Sequence, residues 1–217
     1  MSLRTVLIAG ASGLVGRECL HLLARDASVS DVRALVRSTP SPPADSPRVR
    51  FVLTDFEHLD RDPDTFTVDQ VFCTIGTTLR TAGSQSAFRR VDFEYPLAIA
   101  QLALDRGASH FLLVSAIGAR ADSRIFYNRV KGELEDALRR LPFRALTIAR
   151  PSFLLGNRSA PRPGEALGRL LGRLAPKRFR SVHARHVAAA LVLAAREDRP
   201  GVHVLENAAL LDTPVET

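Results

Sequence analysis

Apolar runs rich in Val, Ile, Leu and Phe recur along the chain, and segments of helical periodicity separate them. These runs predict seven strands, at Thr5–Ala9, Val32–Val36, Val49–Leu53, Gln70–Ile75, Phe111–Ser115, Ala145–Ala149 and Val202–Leu205. Helices are predicted between them, near Leu14–Arg25, Ala87–Arg106, Arg124–Arg140 and Ala184–Arg196. The runs show little polar alternation, which is typical of parallel strands covered on both faces. Alternating strands and helices therefore predict an α/β fold, a doubly wound parallel sheet with helices on both faces.

Two connections between these elements are irregular. Ser38–Pro47 carries four prolines, which predicts a loop after the second strand. Asn157–Pro163 predicts another loop, leading into Glu165–Leu174, and a lid over a substrate would fit there. Because one large domain accommodates a chain of this length, we expect a single domain over residues 1–217. Residues 151–200 would contribute its small, substrate-covering C-terminal part.

The composition is that of a globular protein, and the charge balance is basic. Hydrophobic residues make up 46% and charged residues 24% of the chain, and the formal net charge is +7. Almost all the cations are arginines, and they are spread from Arg4 to Arg199. A nucleic-acid-binding protein more often concentrates them in one stripe, although the dense stretch Arg169–Arg185 leaves a basic face open. Nucleic acid is therefore not favoured as a partner. Binding of a phosphate-bearing cofactor explains part of the excess of positive charge equally well.

The cysteines and histidines indicate no metal site. Cys19 and Cys73 lie far apart and match no metal-ligand spacing, so buried reduced thiols are expected. His183 and His186 flank Arg185, but no third ligand follows at a sensible spacing. We therefore predict that the chain holds no metal.

No export signal or membrane segment is predicted. The uncharged run Thr5–Gly16 imitates a short signal peptide, but it holds three glycines and passes directly into an amphipathic helix. The longest later apolar run, Ala188–Ala195, is too short to span a bilayer. Together with reduced thiols, these features predict a cytoplasmic protein without a membrane partner.

A glycine-rich turn joins the first strand to the first helix. The sequence Gly10-Ala11-Ser12-Gly13-Leu14-Val15-Gly16 stands where a dinucleotide-binding fingerprint requires it. Gly10 would form the tight turn, Gly13 would let the backbone approach a diphosphate, and Gly16 would allow close packing of helix and strand. Free amides and the helix dipole would then face the phosphates, although a turn without a ligand is the alternative. The predicted cofactor contacts are Gly10, Ser12, Gly13, Leu14, Val15 and Gly16.

The end of the second strand indicates which dinucleotide is bound. An NAD-specific protein would place an acidic residue there for the ribose hydroxyls, whereas this chain reads Val36-Arg37-Ser38. A guanidinium suits a 2′-phosphate because it supplies charge and a bidentate fork. NADP(H) is therefore favoured over NAD(H), with Arg37 and Ser38 as contacts. A solvated surface arginine is the alternative.

A tyrosine and a lysine stand four residues apart in the predicted helix Arg124–Arg140, in the stretch Tyr127-Asn-Arg-Val-Lys131. Residues i and i+4 share a helix face, so both side chains can point into one cleft. An adjacent ammonium favours a phenolate, so Tyr127 would act as general acid toward a carbonyl or as base toward an alcohol. An ordinary surface pair is the alternative.

Further motifs carry a resemblance to a known superfamily. They are Phe72-Cys73-Thr74-Ile75-Gly76-Thr77-Thr78, Arg90-Val91-Asp92, Val114-Ser115, Arg150-Pro151-Ser152-Phe153-Leu154-Leu155-Gly156 and Leu205-Glu206-Asn207. With the glycine turn and the tyrosine–lysine stretch, the chain resembles the short-chain dehydrogenase/reductase superfamily. Its finer features resemble the atypical branch around the Tat-interacting-protein oxidoreductases. The resemblance runs through essentially the whole chain, and it implies a Rossmann fold that binds a nicotinamide dinucleotide.

The resemblance also implies roles for three side chains. Ser115 would hydrogen-bond the reacting oxygen, Tyr127 would be the general acid or base, and Lys131 would also hold the nicotinamide ribose. Ser115 ends the fifth predicted strand, twelve residues before Tyr127, at the edge where such sheets hold their ligands. From the residues alone, a serine that caps the loop remains an alternative.

Other cofactor contacts are expected from the topology and the motifs. Thr54-Asp55-Phe56 ends the third strand and would border the adenine, and Gly76-Thr77-Thr78 follows the fourth strand on the nicotinamide side. Pro151-Ser152-Phe153 resembles the segment that closes over the carboxamide. Asp55 and Glu57 are interpreted as parts of a solvated loop and not as a catalytic pair. The predicted contacts in these segments are Asp55, Phe56, Cys73, Gly76, Thr77, Thr78, Pro151 and Phe153.

Two functions remain in competition at the level of the sequence. The first is an NADP(H)-dependent oxidoreductase that transfers hydride to or from a small carbonyl or alcohol substrate. The alternative is a cofactor-binding regulator without meaningful turnover, which acts through a protein partner. The short stretch after the sixth strand motivates the alternative, because little chain remains to build a deep substrate pocket. The sequence indicates neither the substrate nor whether the chain forms a homodimer.

Overall fold

The computed structural model describes residues 3–38, 46–156 and 176–215. Its strands are β1 Arg4–Ala9, β2 Val29–Val36, β3 Val49–Leu53, β4 Gln70–Cys73, β5 His110–Val114, β6 Ala145–Arg150, β7 Leu154–Leu155, β8 Val182–His183 and β9 Gly201–Glu206. Its α-helices are α1 Leu14–Arg25, α2 Leu79–Ala82, α3 Gln85–Arg89, α4 Tyr95–Asp105, α5 Phe126–Arg139, α6 Ala184–Glu197 and α7 Asn207–Asp212. A π-helical turn, Arg90–Glu94, joins α3 to α4. All seven predicted strands are present; β3 has the predicted bounds, and the other six differ at one or both ends.

The large sheet is parallel throughout and has the strand order β3-β2-β1-β4-β5-β6-β9. The chain starts in the middle at β1, winds outward to β3, returns to β4 beside β1, and winds the other way to β9. The winding direction reverses between β1 and β4, and such a switch point leaves a crevice at the carboxyl ends of the strands. The predicted doubly wound Rossmann architecture is confirmed.

The sheet carries apolar side chains on both faces, because neighbouring residues of a strand point in opposite directions. Val6 and Ile8 of β1 pack into one buried cluster with residues of α1, α6 and α7. Leu7 and Ala9 pack into a second cluster with residues of α4 and α5. Helices therefore cover both faces, which explains why the strand sequences lack polar alternation.

The predicted helix near Ala87–Arg106 is present, but it is not a regular α-helix throughout. Residues 85–105 are helical without a break. The helix α3 passes into the π-helical turn Arg90–Glu94, and α4 begins only at Tyr95. Pro96, in the first turn of α4, has no N–H with which to continue the α-helical ladder. The wide turn directs the side chain of Asp92 inward, where it is fully buried.

The predicted lid, Asn157–Pro163 and Glu165–Leu174, lies outside the described residues. Around it, β7 pairs with β8 in a small second sheet. Asn207 ties this region to the main sheet, since its amide donates to the carbonyl of Arg180 and its Oδ1 accepts the N–H of Ser152. The helix α6 packs on α1 in the main body of the protein. The covering role of residues 151–200 stays a prediction.

Candidate functional site

The turn between β1 and α1 is shaped to receive an anion. Gly10 has a φ of +90°, a left-handed conformation that favours glycine, and its carbonyl accepts the N–H of Gly13 over 2.9 Å. A Cβ atom on Gly16 would lie 2.1 Å from that carbonyl oxygen, so only glycine lets α1 pack this closely. Gly13 caps the helix without a side chain, which leaves the first amides of α1 open to a ligand.

A cleft of about 380 Å³ opens beside this turn. It is lined by seven of the predicted cofactor contacts, namely Gly10, Ser12, Gly13, Arg37, Phe56, Gly76 and Thr77. The other lining residues are Leu35, Val36, Thr74, Ile75, Thr81, Ala82, Ala87, Val91 and Tyr95. The glycine turn, the end of β2 and the segment after β4 therefore meet at the switch point, where a nucleotide crevice is expected.

Two aromatic side chains line this cleft together. Phe56 follows β3, and its ring centroid lies 5.6 Å from that of Tyr95 at the start of α4. The Tyr95 hydroxyl donates to the carboxylate of Glu57, which is exposed in the loop after β3, as expected. Burial, together with this carboxylate, raises the pKa of Tyr95 to about 12 and keeps it protonated at neutral pH. Sequence reasoning does not find Tyr95, because its place beside Phe56 depends on the π-helical turn.

A buried ion pair lies under the segment that follows β4. Nζ of Lys131 on α5 is 2.8 Å from Oδ1 of Asp92, and the two side chains are 3% and 0% exposed. Oδ2 of Asp92 accepts the N–H of Thr77 over 2.8 Å. Burial by itself lowers the pKa of Lys131, but the negative charge of Asp92, with a further contribution from the nearby Tyr127, outweighs it and holds that pKa above its ordinary value. Lys131 is therefore an ammonium at neutral pH.

Tyr127 lies one helical turn before Lys131 on α5, close enough to contribute to the raised pKa of the lysine. Its ring packs on the buried ring of Phe88, with 5.5 Å between the centroids. Phe88 also contacts Phe126, at 5.6 Å. The structure thus brings the predicted tyrosine and lysine together and fixes the phenol ring by aromatic packing.

The Ser115 hydroxyl has a partner that the sequence does not reveal. It donates to Oε1 of Glu135 over 2.5 Å, and both residues are buried. Arg150 binds the same carboxylate through two N–H groups, at 3.0 and 2.5 Å. A hydroxyl has one hydrogen, so Ser115 in this arrangement offers a ligand only its oxygen lone pairs. The one hint in the sequence is that Glu135 stands eight residues after Tyr127 on the same helix, α5, which brings it near this part of the site.

Several predicted cofactor contacts do not line the cleft. They are Leu14, Val15, Gly16, Ser38, Asp55, Cys73, Thr78, Lys131, Pro151 and Phe153. Burial raises the pKa of the Cys73 thiol to about 11, so it stays protonated inside β4. Thr78 caps α2 by accepting the N–H of Thr81. The ring of Phe153 is exposed.

A larger cavity, of about 630 Å³, lies against a different part of α1. It is lined by Leu14, Arg17, Glu18, His21, Leu155, Gly156, His183, Ala184 and Arg185. It contains none of the three glycines of the turn, and the predicted catalytic side chains Ser115, Tyr127 and Lys131 line neither cavity. The smaller cleft is therefore the better candidate for the nucleotide site. It lies at the switch point, where a doubly wound sheet binds its ligand, and this location is a stronger criterion than cavity volume.

The residues of the cleft fit a nicotinamide dinucleotide. Open amides at the start of α1 suit a diphosphate, and the aromatic wall suits a flat base. Arg37 stands at the end of β2, where a further phosphate would lie. Oδ1 of Asp92 is buried and accepts no hydrogen bond from any residue that the structure describes. A hydroxyl of a bound ligand would satisfy it.

Comparison with known proteins identifies the family. The sequence pattern of a family described as NAD(P)H-binding matches residues 10–198. FMP52 from Eremothecium gossypii is 34% identical over 216 residues, which cover 94% of this chain and 95% of that protein. HTATIP2 from Rattus norvegicus is 38% identical over 171 residues, which cover 78% of this chain and 70% of that protein.

Solved structures share the fold at low sequence identity. WbmG from Bordetella bronchiseptica, in complex with NAD, has a TM-score of 0.69 at 16% identity, covering 94% of this chain and 73% of its own. MoeE5, in complex with UDP-glucose and NAD, has a TM-score of 0.70 at 17% identity, covering 93% of this chain and 75% of its own. These similarities support the Rossmann fold independently of the sequence motifs.

The predicted cytoplasmic location is wrong. The relatives FMP52 from Eremothecium gossypii and from Emericella nidulans are both named as mitochondrial proteins. The prediction failed because buried reduced thiols do not distinguish one reducing compartment from another. Within the described ranges, no helix is both long and apolar enough to cross a membrane.

The family pattern covers most of the chain, and the FMP52 relative matches along nearly all of it. The turn at Gly10 and the cleft beside it agree with that assignment. This chain belongs to the NAD(P)H-binding family, as an oxidoreductase-like protein related to FMP52 and HTATIP2.

Proposed function

We propose that the protein is an NADP(H)-dependent oxidoreductase that moves hydride between the nicotinamide and a small carbonyl or alcohol. The observation that carries this proposal is the pair of Tyr127 and Lys131 on one face of α5, with Lys131 held as an ammonium below the cleft. A proton donor next to a fixed positive charge is what reduction of a carbonyl requires.

Each side chain has a physical role in this proposal. The nicotinamide, when bound, supplies or accepts the hydride. The Tyr127 hydroxyl donates its proton to the carbonyl oxygen, or takes the proton of an alcohol in the reverse direction. Lys131 stabilises the negative charge that the tyrosine oxygen then carries. Ser115 can accept a hydrogen bond from the hydroxyl of an alcohol, but it does not donate one to a carbonyl oxygen while its own hydrogen is bound to Glu135.

Replacing Tyr127 by phenylalanine removes the proton donor but keeps the ring that packs on Phe88. We expect the rate of NADPH consumption with a reducible aldehyde, ketone or quinone to fall by about 100-fold or more, the usual contribution of general acid catalysis. NADPH affinity and melting temperature should stay near the wild-type values. Unchanged turnover by Tyr127→Phe would exclude Tyr127 as the acid.

The choice of NADP(H) rests on Arg37, an exposed cation that lines the cleft at the end of β2. We expect the wild type to bind NADPH more tightly than NADH, and Arg37→Ala to weaken only NADPH. A lost charged hydrogen bond predicts about a 10- to 100-fold rise in the dissociation constant. Arg25→Ala, at the far end of α1, is the matched control for loss of one positive charge. Equal wild-type affinity for the two cofactors, measured by calorimetry, would contradict this assignment.

A regulator that binds NADP(H) without turnover is the second candidate. The Ser115 hydrogen bond to Glu135 favours it, because the resemblance assigns Ser115 a donor role that this geometry does not provide. A wild-type protein that binds NADPH, reduces none of the carbonyl compounds and captures a protein partner only in the presence of NADPH would support this candidate. Turnover that depends on Tyr127 would rule it out.

A further inference from the structure

We propose that Phe153 and Phe179, together with the guanidinium of Arg178, select the substrate, and that they favour an aromatic carbonyl compound that carries a carboxylate. This inference rests on the proposed function, because it takes reduction of a carbonyl as the reaction. It adds the chemical class of the substrate and two residues, Arg178 and Phe179, for which the sequence predicts no role. It also assigns Phe153 to the substrate, whereas the sequence predicts it as a cofactor contact.

Phe153 lies along the same edge of the sheet as the cleft. In the strand order, β5 and then β6 follow β4, so the carboxyl ends of these strands lead from Gly76 of the cleft to Ser115 and on to Phe153. The segments after β5 and β6 run side by side, because the N–H of Ile117 donates to the carbonyl of Pro151 over 2.9 Å. Phe153 is two residues from that contact, which is about 7 Å of extended chain at most. A ligand held against Phe153 therefore lies beside the predicted catalytic residues.

The two phenyl rings are exposed although their backbones are held in place. Phe153 is 64% and Phe179 50% exposed. The carbonyl of Phe179 accepts the Ser152 hydroxyl over 3.1 Å. The carbonyl of Phe153 accepts the N–H of Val182 over 3.0 Å. The buried amide of Asn207 accepts the N–H of Ser152 and donates to carbonyls on both sides of Phe179, so it fastens the two segments together. Rings that are fixed in water gain free energy when an apolar ligand covers them.

Two further exposed apolar side chains flank the same region. Leu79 opens α2 directly after the segment 76–78, and Ile125 stands two residues before Tyr127. Single exposed apolar side chains are ordinary, whereas several around predicted catalytic residues mark a place where an apolar ligand binds. The body of the substrate is therefore apolar, and two aromatic side chains favour an aromatic ring, since paired rings attract each other beyond simple burial.

Arg178 determines the polar part of the preferred substrate. Its Cζ lies over the Phe179 ring, 4.6 Å from the centroid, so the guanidinium is held beside that ring. Arg178 is exposed and forms no ion pair with any residue that the structure describes, whereas the neighbouring Lys177 is paired with Asp212. A guanidinium binds a carboxylate through two parallel hydrogen bonds. A substrate ring that packs on Phe179 thus brings a carboxylate substituent within reach of Arg178.

The test compares three methyl ketones on a six-membered ring, namely 4-acetylbenzoate, acetophenone and cyclohexyl methyl ketone. Each is titrated into the protein saturated with NADP⁺, which has no hydride to give, so calorimetry records binding without turnover. We expect the wild type to bind 4-acetylbenzoate about 10-fold or more tightly than acetophenone, as for a charged hydrogen bond. Acetophenone should in turn bind more tightly than the cyclohexyl ketone.

Two variants separate the ring from the charge. Phe179→Ala should weaken both aromatic ketones by about 5-fold or more, and it should leave the dissociation constant of NADPH and the melting temperature unchanged because the ring is exposed. Arg178→Ala should weaken only 4-acetylbenzoate, by about 10-fold. The matched controls lie at the opposite edge of the sheet. They are Leu3→Ala, which removes a side chain that is 60% exposed, and Arg25→Ala, which removes one positive charge.

The outcomes distinguish the inference from the proposed function. Equal affinity of the wild type for the three ketones, or binding of none of them, would overturn the inference. Undiminished binding of the aromatic ketones by Phe179→Ala would overturn it too, and so would a lower melting temperature, because the ring would then already pack within the protein. A wild type that binds the aromatic ketones as expected but reduces none of them with NADPH would instead refute the proposed function.

Discussion

Gly16→Ala is expected to destabilise the protein by about 2–3 kcal/mol, in the range of an overpacked core, and to abolish dinucleotide binding. The new Cβ atom would lie 2.1 Å from the carbonyl oxygen of Gly10 and 2.7 Å from Oγ1 of Thr74. Gly10 cannot move away from the new methyl group, because it is packed against β4: a Cβ atom built on Gly10 would be only 2.7 Å from the backbone of Thr74. The start of α1 must therefore move away from β1 and β4. Without this clash, alanine in a helix would be favoured over glycine by about 1 kcal/mol. A decrease in the free energy of unfolding would therefore indicate the steric clash, and an increase would indicate its absence.

The matched variant is Gly13→Ala, three residues earlier in the same turn. Its Cβ atom would meet only the carbonyl oxygen of Gly10, at 3.2 Å, so the fold should tolerate it better. The methyl group would nevertheless stand beside the amides that the diphosphate approaches. Denaturant unfolding and calorimetric titration of NADPH separate the two effects. If Gly16→Ala proved as stable as the wild type, the close packing of α1 on the turn would be disproved.

The phosphate-binding turn was predictable because its causes are local in the sequence. A buried strand, three glycines at fixed spacing and a helix follow one another without interruption from Arg4 to Arg25. The end of β2 was predictable for a related reason. Parallel strands end at one edge, so Arg37 and Gly76 had to come near the turn wherever the loops run.

The ion pair of Asp92 and Lys131, which lies behind Gly76 of the cleft, was not predictable in the same way. Asp92 stands within a stretch whose periodicity predicts an uninterrupted helix, and only tertiary contacts reveal why the helix widens there. The turn brings the carboxylate to Lys131, which lies 39 residues later in the chain. The periodicity of one sequence contains no information on an ion pair between distant segments. It therefore predicts the helix but not the π-helical turn within it.

The Ser115 hydroxyl shows a further limit of sequence reasoning. Position in the chain locates a residue at the end of a strand, and the structure confirms that Ser115 follows β5 directly. The direction of a hydroxyl, however, depends on the strongest acceptor nearby, here the carboxylate of Glu135. Glu135 is held for this role by Arg150, from the end of the neighbouring strand β6. A motif therefore indicates where a catalytic group stands but not what it donates to.

Lys131→Met is expected to cost about 3–5 kcal/mol of folding free energy, because it leaves the Asp92 carboxylate buried without its counter-charge. Asp92→Asn should be costly for the same reason, since a buried ammonium then remains alone. The double variant carries neither charge, so it should lose less than the sum of the two single variants. Denaturant unfolding of the four proteins yields the coupling free energy as a double-mutant cycle. The exposed pair of Arg120 and Asp122, at a similar distance of 2.9 Å, provides the matched cycle, and its coupling should be much smaller.

The direction of the pKa shift of Lys131 determines the pH at which these proteins should be compared. The pKa of Lys131 is raised in the folded state, since the negative charge of Asp92, with a further contribution from Tyr127, outweighs the opposing effect of burial. The stability that this adds is complete below the ordinary lysine pKa and is lost as the pH rises through the higher folded value. Measurements near neutral pH therefore record the whole contribution, and wild-type stability should fall more steeply in strong alkali than that of Lys131→Met. If the single variants at Lys131 and Asp92 lost no more stability than single variants of the exposed control pair, the buried ion pair would not organise the region behind Gly76.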